Sequence, residues 1–534
     1  MSEVIDHVDH IFDLFGPQYE DNSIARYHTF PIPERNNEPS SNGGIPTPNG
    51  RWYFDMKDTG VYHLPSRSYI YLRYAISTTD NNAAAFVTAG PAPILAALQN
   101  NFPFFTGVQY FVNGQEVVNT PLYADKVQLI SNLLEFSYDN TQSSDLDSGF
   151  FIDTAYGGAD PAPYLNSGTY TVPTALPGAA ATFNLANNFS YINPNYNWGY
   201  AKRLFYDGRT VPLTNAAGVA VAPVPAVPWG AAVNKTNAPY NSAGPNVFTV
   251  RIPLWRLIRF FSNYDKVFTG VTHELQLQLN PNLNQLFHTS AAIAAGAQAP
   301  QLRILQAYWM MPIVRPSTTV SAELNVALAS GRAITIPYEK CEVVLNSIPV
   351  LNNSINYMIR TQTERPTKVV IVFQDPAALA NATYNINGQI FTSLVGTTAN
   401  TNYIVQAGGT AQITNMFLTY GGKSFPEFPY RPAIDGMIVP YQTYLHVTER
   451  LFDLEGGPAI SFDAFQKVYP LYIFDLRYLE TDGMSTSQTS DMILNVQFTG
   501  TIAANTSINI FSFIYSEAEM NIQSMSGKVI MTKK

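Results

Sequence analysis

Few residues in this 534-residue chain have a type and spacing that could carry chemistry. Seven histidines, His7, His10, His28, His63, His273, His288 and His446, are scattered, and only His7 and His10 are close in sequence. A zinc or facial-triad site needs two or three ligands converging, and a pair one helical turn apart on an acidic segment reads as solvated. The single cysteine, Cys341, cannot close an internal disulfide, and in the strand-like stretch Tyr338 to Leu345 its expected state is buried and inert. Gly421-Gly422-Lys423-Ser424 has the tail of a phosphate-binding loop, but the glycine required five positions before Gly422 is Phe417, so the stretch reads as a turn after Phe417–Tyr420. Asp453 with Glu455, or Asp463 with Asp475, could form the carboxylate pair of a glycosidase. Acids this close on strands and turns more often cap or form ion pairs, and no G-x-S-x-G elbow is present. No catalytic residue, metal or cofactor is therefore expected.

The elements that would have to position such groups are strands. Only 13% of residues are charged against roughly 25% in an average globular chain, yet the mean hydropathy is −0.04. Neutral polar residues have replaced the charges. With 32 Tyr, 32 Phe, 37 Pro and 33 Gly, the balance favours strands and turns over helices and excludes coiled coils and polyampholyte disorder. A net charge of −9 without a basic arm offers no general attraction to a phosphate backbone, so sequence-specific nucleic-acid binding is not expected. No basic n-region precedes the first apolar residues, so no secretory signal is read. The uncharged stretch from Thr210 to Asn234 carries four prolines that would break a spanning helix.

Along the chain, Val4, Ile5, Val8, Ile11, Phe12 and Phe15 fall on one face of a short amphipathic helix, with acids mostly off it. Six acids and no Lys or Arg lie between Met1 and Ile24. Such a helix is marginal alone and needs a neighbour, either its own body or an adjacent subunit. Gln18 to Gly50 reads as an extended connector. From Arg51 strands dominate. Val108–Val112, Asn113-Gly114 and Gln115–Val118 form a two-residue hairpin signal. A helix opened by Pro121 carries Tyr123, Val127, Ile130 and Leu134 at helical spacing and ends near Tyr138. Asp139 to Asn246 is a long insertion rich in Gly, Pro and Asn. Phe248–Phe261, Val271–Leu279 and Leu302–Val314 follow as strands.

The phrase Leu275, Leu277, Leu279 alternating with Gln276 and Gln278 returns as Leu494, Val496, Phe498 alternating with Asn495 and Gln497. A strong strand follows each, and a Pro440-led helix with Tyr441, Tyr444 and Leu445 echoes the first helix. Each half thus reads as strands, one helix, more strands and a closing hairpin. The expected organisation is an arm and connector over 1–50, a first sandwich over 51–316, a linker over 317–333 and a second sandwich over 334–534.

Specific stretches then resemble a known family. Phe260-Phe261-Ser262-Asn263-Tyr264-Asp265-Lys266-Val267 with Gly270-Val271-Thr272-His273-Glu274-Leu275 looks like the end of the first jelly roll in double jelly-roll major capsid proteins of the adenovirus-hexon-like lineage, in particular the Polinton-like, adintovirus and virophage groups. Arg365-Pro366 before the hydrophobic run ending Phe373-Gln374 resembles the early second roll, and Tyr469-Pro470-Leu471-Tyr472-Ile473-Phe474-Asp475-Leu476 a later segment of it. The resemblance spans Arg51 to the C-terminus; in the insertion 139–246 nothing is recognised.

It implies an all-β chain of two tandem eight-stranded antiparallel jelly rolls, with a few short helices and long loop insertions. It also implies a structural, non-enzymatic role. Three chains would form a pseudo-hexagonal capsomer that tiles an icosahedral virion shell, with penton and minor capsid proteins as further partners. Insertions at 139–246 and Asp375–Gly422 would form outer loops, and the arm Val4–Phe15 would lie under the capsomer and bridge to a neighbour. The alternatives are a carbohydrate-binding β-sandwich, a glycoside hydrolase on a β scaffold, and a minor capsid or fibre protein.

Overall fold

The computed structural model describes residues 24–35, 50–77, 96–98, 104–143, 152, 169–171, 182–184, 247–281, 287–289, 301–329, 334–349, 353–363, 366–374, 412–450, 456–467, 469–477, 490–500, 507–525 and 528–533. The first half contributes β1 (Ile24–Pro33), β2 (Arg51–Met56), β3 (Tyr69–Ser77), β4 (Phe105–Val112), β5 (Gln115–Thr120), β6 (Val247–Pro253), β7 (His273–Leu279) and β8 (Gln301–Pro316). They form two antiparallel sheets in the orders β1-β8-β3-β6 and β2-β7-β4-β5. The second half contributes β9 (Ile334–Ile348), β10 (Ser354–Thr363), β11 (Pro366–Gln374), β12 (Ile413–Tyr420), β13 (Lys423–Tyr430), β14 (Tyr472–Asp475), β15 (Ser490–Phe498) and β16 (Ile508–Met525). Its sheets run β9-β16-β11-β14 and β10-β15-β12-β13, so every strand takes the place of the one eight before it. β17 (Lys528–Lys533) extends the first of these sheets beside β16. Both halves are jelly rolls, and the fold is a double jelly roll.

The local reasons are visible in the sequence. In β7, Leu275, Leu277 and Leu279 are buried and the glutamines between them half-exposed, because alternate residues of a strand point to opposite faces. The β4–β5 hairpin turns at Asn113 and Gly114, with φ of 49° and 77°, and pairs Val112 with Gln115. These left-handed angles are what a tight turn matched to strand twist requires. β12 and β13 repeat the device: Gly421 and Gly422 have φ of 59° and 77°, and Tyr420 pairs with Lys423. The would-be phosphate loop is this hairpin turn.

Helices fall at corresponding places. α1 (Ala124–Glu135) follows β5, α2 (Leu254–Leu257) and α3 (Arg259–Asn263) follow β6, α4 (Thr318–Ala329) joins β8 to β9, and α5 (Ile438–Val447) follows β13.

Several expectations need correction. The first roll begins at Ile24 rather than Arg51: β1 pairs with β8 from Ile24 to Pro33, inside the stretch read as connector. Its prolines, Pro31 and Pro33, masked it, and they are tolerated because β1 is an edge strand. The closing strands of each half are no hairpin, since β7 and β8, like β15 and β16, lie in different sheets. Phe248–Phe261 is a strand only to Pro253, after which Leu254–Asn263 is helical. The stretch Asp375–Gly422 is not all loop, because Ile413–Tyr420 is a strand with Ile413, Met416 and Leu418 in the core. Pro121 lies before α1, whose first turn follows a left-handed Tyr123, and Pro440 lies inside α5.

Candidate functional site

The seam between the two rolls is where the chain concentrates its specific chemistry. In β11, Val369 through Phe373 are buried without a break, and in β16 so are Ile510 through Tyr515. An unbroken apolar run means that both faces of the sheet are covered. One face is the roll's own interior, and the other is roofed by α1, which the chain contributes from the first half. Val127, Ile130, Leu133 and Leu134 of α1 belong to the second roll's core cluster. Tyr123 meets Phe511 edge-on with ring centroids 5.3 Å apart. The Tyr444 hydroxyl of α5 donates to the Leu133 carbonyl at 2.8 Å. In return, Ile336, Tyr338 and Met520 of the second roll enter the first roll's core cluster.

A network of charges pins this apolar seam. Arg259 on α3 is held between Glu135 at the end of α1 and Glu339 on β9, the latter at 2.5 Å. Lys368 on β11 reaches the other Glu339 oxygen at 2.8 Å, and Thr367 donates to it at 3.0 Å. Arg259 also lies 5.5 Å from the Tyr515 ring. Burial alone would raise the Glu339 carboxyl, but Arg259 and Lys368 outweigh it and hold it below its ordinary range. Burial alone would lower Arg259, but Glu135 and Glu339 raise it instead. Three elements of one roll and two of the other are thereby fixed in register. Beside this network Cys341 is a free, partly buried thiol, and burial pushes it up to about 12.

A second polar cluster lies within the first roll. His63 and His273 are both buried, their Nδ1 and Nε2 atoms 3.2 Å apart, and the Tyr110 hydroxyl stands 2.7 Å from His273 Nδ1. Tyr110 donating to His273, and His273 Nε2–H donating to His63 Nδ1, satisfies both contacts with both rings neutral. Phe261 and Phe268 pack edge-on against Tyr110 and His273. Burial first, and the neighbouring His63 second, lower His273 to about 3; burial lowers His63 as well. Sequence reasoning missed this pair, since 210 residues separate its members. The available signal was that His273 opens β7 at a core-facing position.

The residues singled out from sequence fare as follows. Val4, Ile5, Val8, Ile11, Phe12 and Phe15 lie outside the described residues, as do His7, His10, Asp453 and Glu455. Asp475, at the end of β14, receives the Arg477 guanidinium through both its oxygens and also the Arg477 amide, a local brace. Asp463 lies on the helix Phe462–Lys467, which does not include Asp475. Among the described residues no three His, Cys, Asp or Glu side chains group as metal ligands would, and no helix is long and apolar enough to cross a membrane.

Residues 230–388, which span the junction of the two rolls from before β6 to beyond β11, match the family model of the double jelly roll-like domain. The match covers 159 of the 534 residues and agrees with the double jelly-roll fold seen in the strand order. No curated protein matches this double jelly-roll chain in sequence. Among solved structures it is similar to a chain of the Sputnik virophage, at 13% identity over 96% of this chain and 89% of that one, with a TM-score of 0.49. The Faustovirus major capsid protein is similar at 9% identity over 95% and 92%, with a TM-score of 0.47. The mavirus major capsid protein is similar at 10% identity over 98% and 94%, with a TM-score of 0.46.

Proposed function

We propose that the chain is the major, hexon-like capsid protein of a virion, that three copies associate into a pseudo-hexagonal capsomer, and that capsomers tile an icosahedral shell. The observation that carries this reading is the repeat itself. Two rolls of identical strand order are fused through a shared core and a charge network, so that one chain is a rigid pair of near-equivalent blocks. Three such pairs about a threefold axis place six similar blocks in a ring, the shape that tiles a near-hexagonal lattice. The role is structural rather than enzymatic. Apolar burial between copies supplies the association free energy, and a chain with few charges has little to desolvate there. Penton and minor capsid proteins are the further partners this reading entails.

The experiment is the solution mass and morphology of the purified full chain. A persistent species near three times 59.0 kDa by size exclusion with light scattering, and hexagonal outlines by electron microscopy, are the expected results. A strict monomer under mild conditions overturns the proposal.

A further inference from the structure

The two rolls share one strand order, but only the second has a roof. In β16 of the second roll Ile510 through Tyr515 are all buried, because α1 covers the outer face of that sheet. Its counterpart in the first roll, β8, alternates instead: Trp309, Met311 and Ile313 are buried, while Tyr308 and Met310 between them stay half-exposed. The neighbouring β3 does the same, with Ile70, Leu72 and Tyr74 buried and Tyr69 and Tyr71 half-exposed. Residues directly opposite on paired strands share a face, and Tyr71 stands opposite Tyr308, Tyr69 opposite Met310. The Tyr71 and Tyr308 ring centroids are 6.4 Å apart. The first roll therefore presents a bare strip of aromatic and apolar side chains where the second roll carries a helix.

The roof has a counterpart as well. α1 is the helix that follows β5, and at the same place in the second roll the chain leaves β13 through the helical turn Pro432–Asp435 into α5. Along this stretch Phe428 is 82% exposed, Ile434 66%, Ile438 54% and Val439 40%. Large apolar side chains so exposed and so close in the chain mark an interaction surface rather than scattered surface residues. They are exposed with the first roll of the same chain in place, so that roll is not what covers them. One copy thus carries a roof without a seat and a seat without a roof, and the seam inside the chain shows how the two fit.

We propose that the chain repeats its internal seam between copies, with the surface formed by Phe428, Ile434, Ile438 and Val439 of one copy roofing Tyr69, Tyr71, Tyr308 and Met310 of a second copy. The two surfaces are different patches, so the contact is heterologous, and each copy gives one roof and receives another. A ring of six rolls then holds seams of a single kind, alternately within and between chains. The inference rests on the capsomer reading and names the surfaces through which the copies meet.

The test compares the full wild-type chain with a variant carrying Ile434→Asp and Ile438→Asp, both at exposed positions, by solution mass. The variant should keep the far-UV circular dichroism of the wild type, while the concentration at which the species near three times 59.0 kDa half-dissociates rises about tenfold or more, since two unpaired carboxylates enter an apolar contact. A second measurement, photocrosslinking with p-benzoylphenylalanine in place of Ile438, serves if that variant does not fold. The expected product runs near twice 59.0 kDa on a denaturing gel and joins the probe to peptides containing Tyr69, Tyr71, Tyr308 or Met310. A wild-type trimer that the two aspartates leave unchanged, or crosslinks that stay within one chain or fall on other peptides, would overturn this inference and leave the capsomer reading standing. A strictly monomeric wild type would overturn both.

Discussion

Lowering the pH from 7.5 to 5 should cost the protein about 2 kcal/mol of folding stability through His273 alone. The ring is 1% exposed and held at about 3 by burial and by His63, whereas in the unfolded chain it titrates near 6.5. A base whose folded pKa is depressed binds fewer protons when native, so its contribution is complete above the unfolded value and is lost as the pH falls. At pH 5 the unfolded ring is protonated about 1.5 pH units below its pKa while the native ring remains neutral, and at about 1.4 kcal/mol per unit the loss is about 2 kcal/mol. His63 is lowered in the same direction and adds to it. Glu339 works in a different window: its carboxyl is held low, so its contribution is lost only below the ordinary carboxylate range near 4.3. The assay is urea unfolding of the wild type and of His273→Gln at pH 7.5 and 5, extrapolated to zero denaturant. The variant should start less stable, having lost a buried partner for Tyr110, but its dependence on pH should be flatter by about 2 kcal/mol. Equal pH dependence in the two proteins would refute the argument that these rings are kept neutral by burial.

Three other outcomes follow from the packing of the two rolls. Glu339→Gln leaves Arg259 and Lys368 facing each other across the seam and should cost about 2–3 kcal/mol by thermal or chemical unfolding, with the two rolls melting less cooperatively. Gly107→Ala places a Cβ 2.6 Å from the Pro121 carbonyl oxygen, a backbone atom, and should destabilise the protein by about 1–3 kcal/mol without altering the β4–β5 turn. Burial holds the Cys341 thiol well above its ordinary range, so at pH 8 iodoacetamide should label the native chain negligibly and the unfolded chain readily, as read by intact mass.

How far the sequence reveals the molecule depends on whether a signal is local. The alternation of β7 and β15, the Asn113-Gly114 turn and the helical spacing after Pro121 are short-range patterns, and each yields its element. The duplication is legible because Leu275–Leu279 and Leu494–Phe498 carry the same period. β1 is not, because Pro31 and Pro33 suggest a connector unless the chain is known to run along an edge. The partners of elements are harder still. That β7 and β8 enter opposite sheets follows from sheet closure, not from either strand. Arg259 and Glu339, 80 residues apart, and His63 and His273, 210 apart, have no mutual pattern. One clue was available: the unbroken apolar run Val369–Phe373 implies a covered outer face, although not that α1 covers it.

The exchange of α1 across the seam bears on the order in which the chain is made. The helix leaves the ribosome before any strand of the roll it roofs, and Tyr444, which bonds to Leu133, is synthesised 311 residues later. At roughly 5–20 residues per second that interval is about 15–60 seconds. Throughout it the face of α1 that belongs to the second roll's core lacks the strands it packs on, so that face stays uncovered until those strands have been made. Two blocks with the same strand order could otherwise each close early and alone. Their common roof makes completion of the second the event that seals the first.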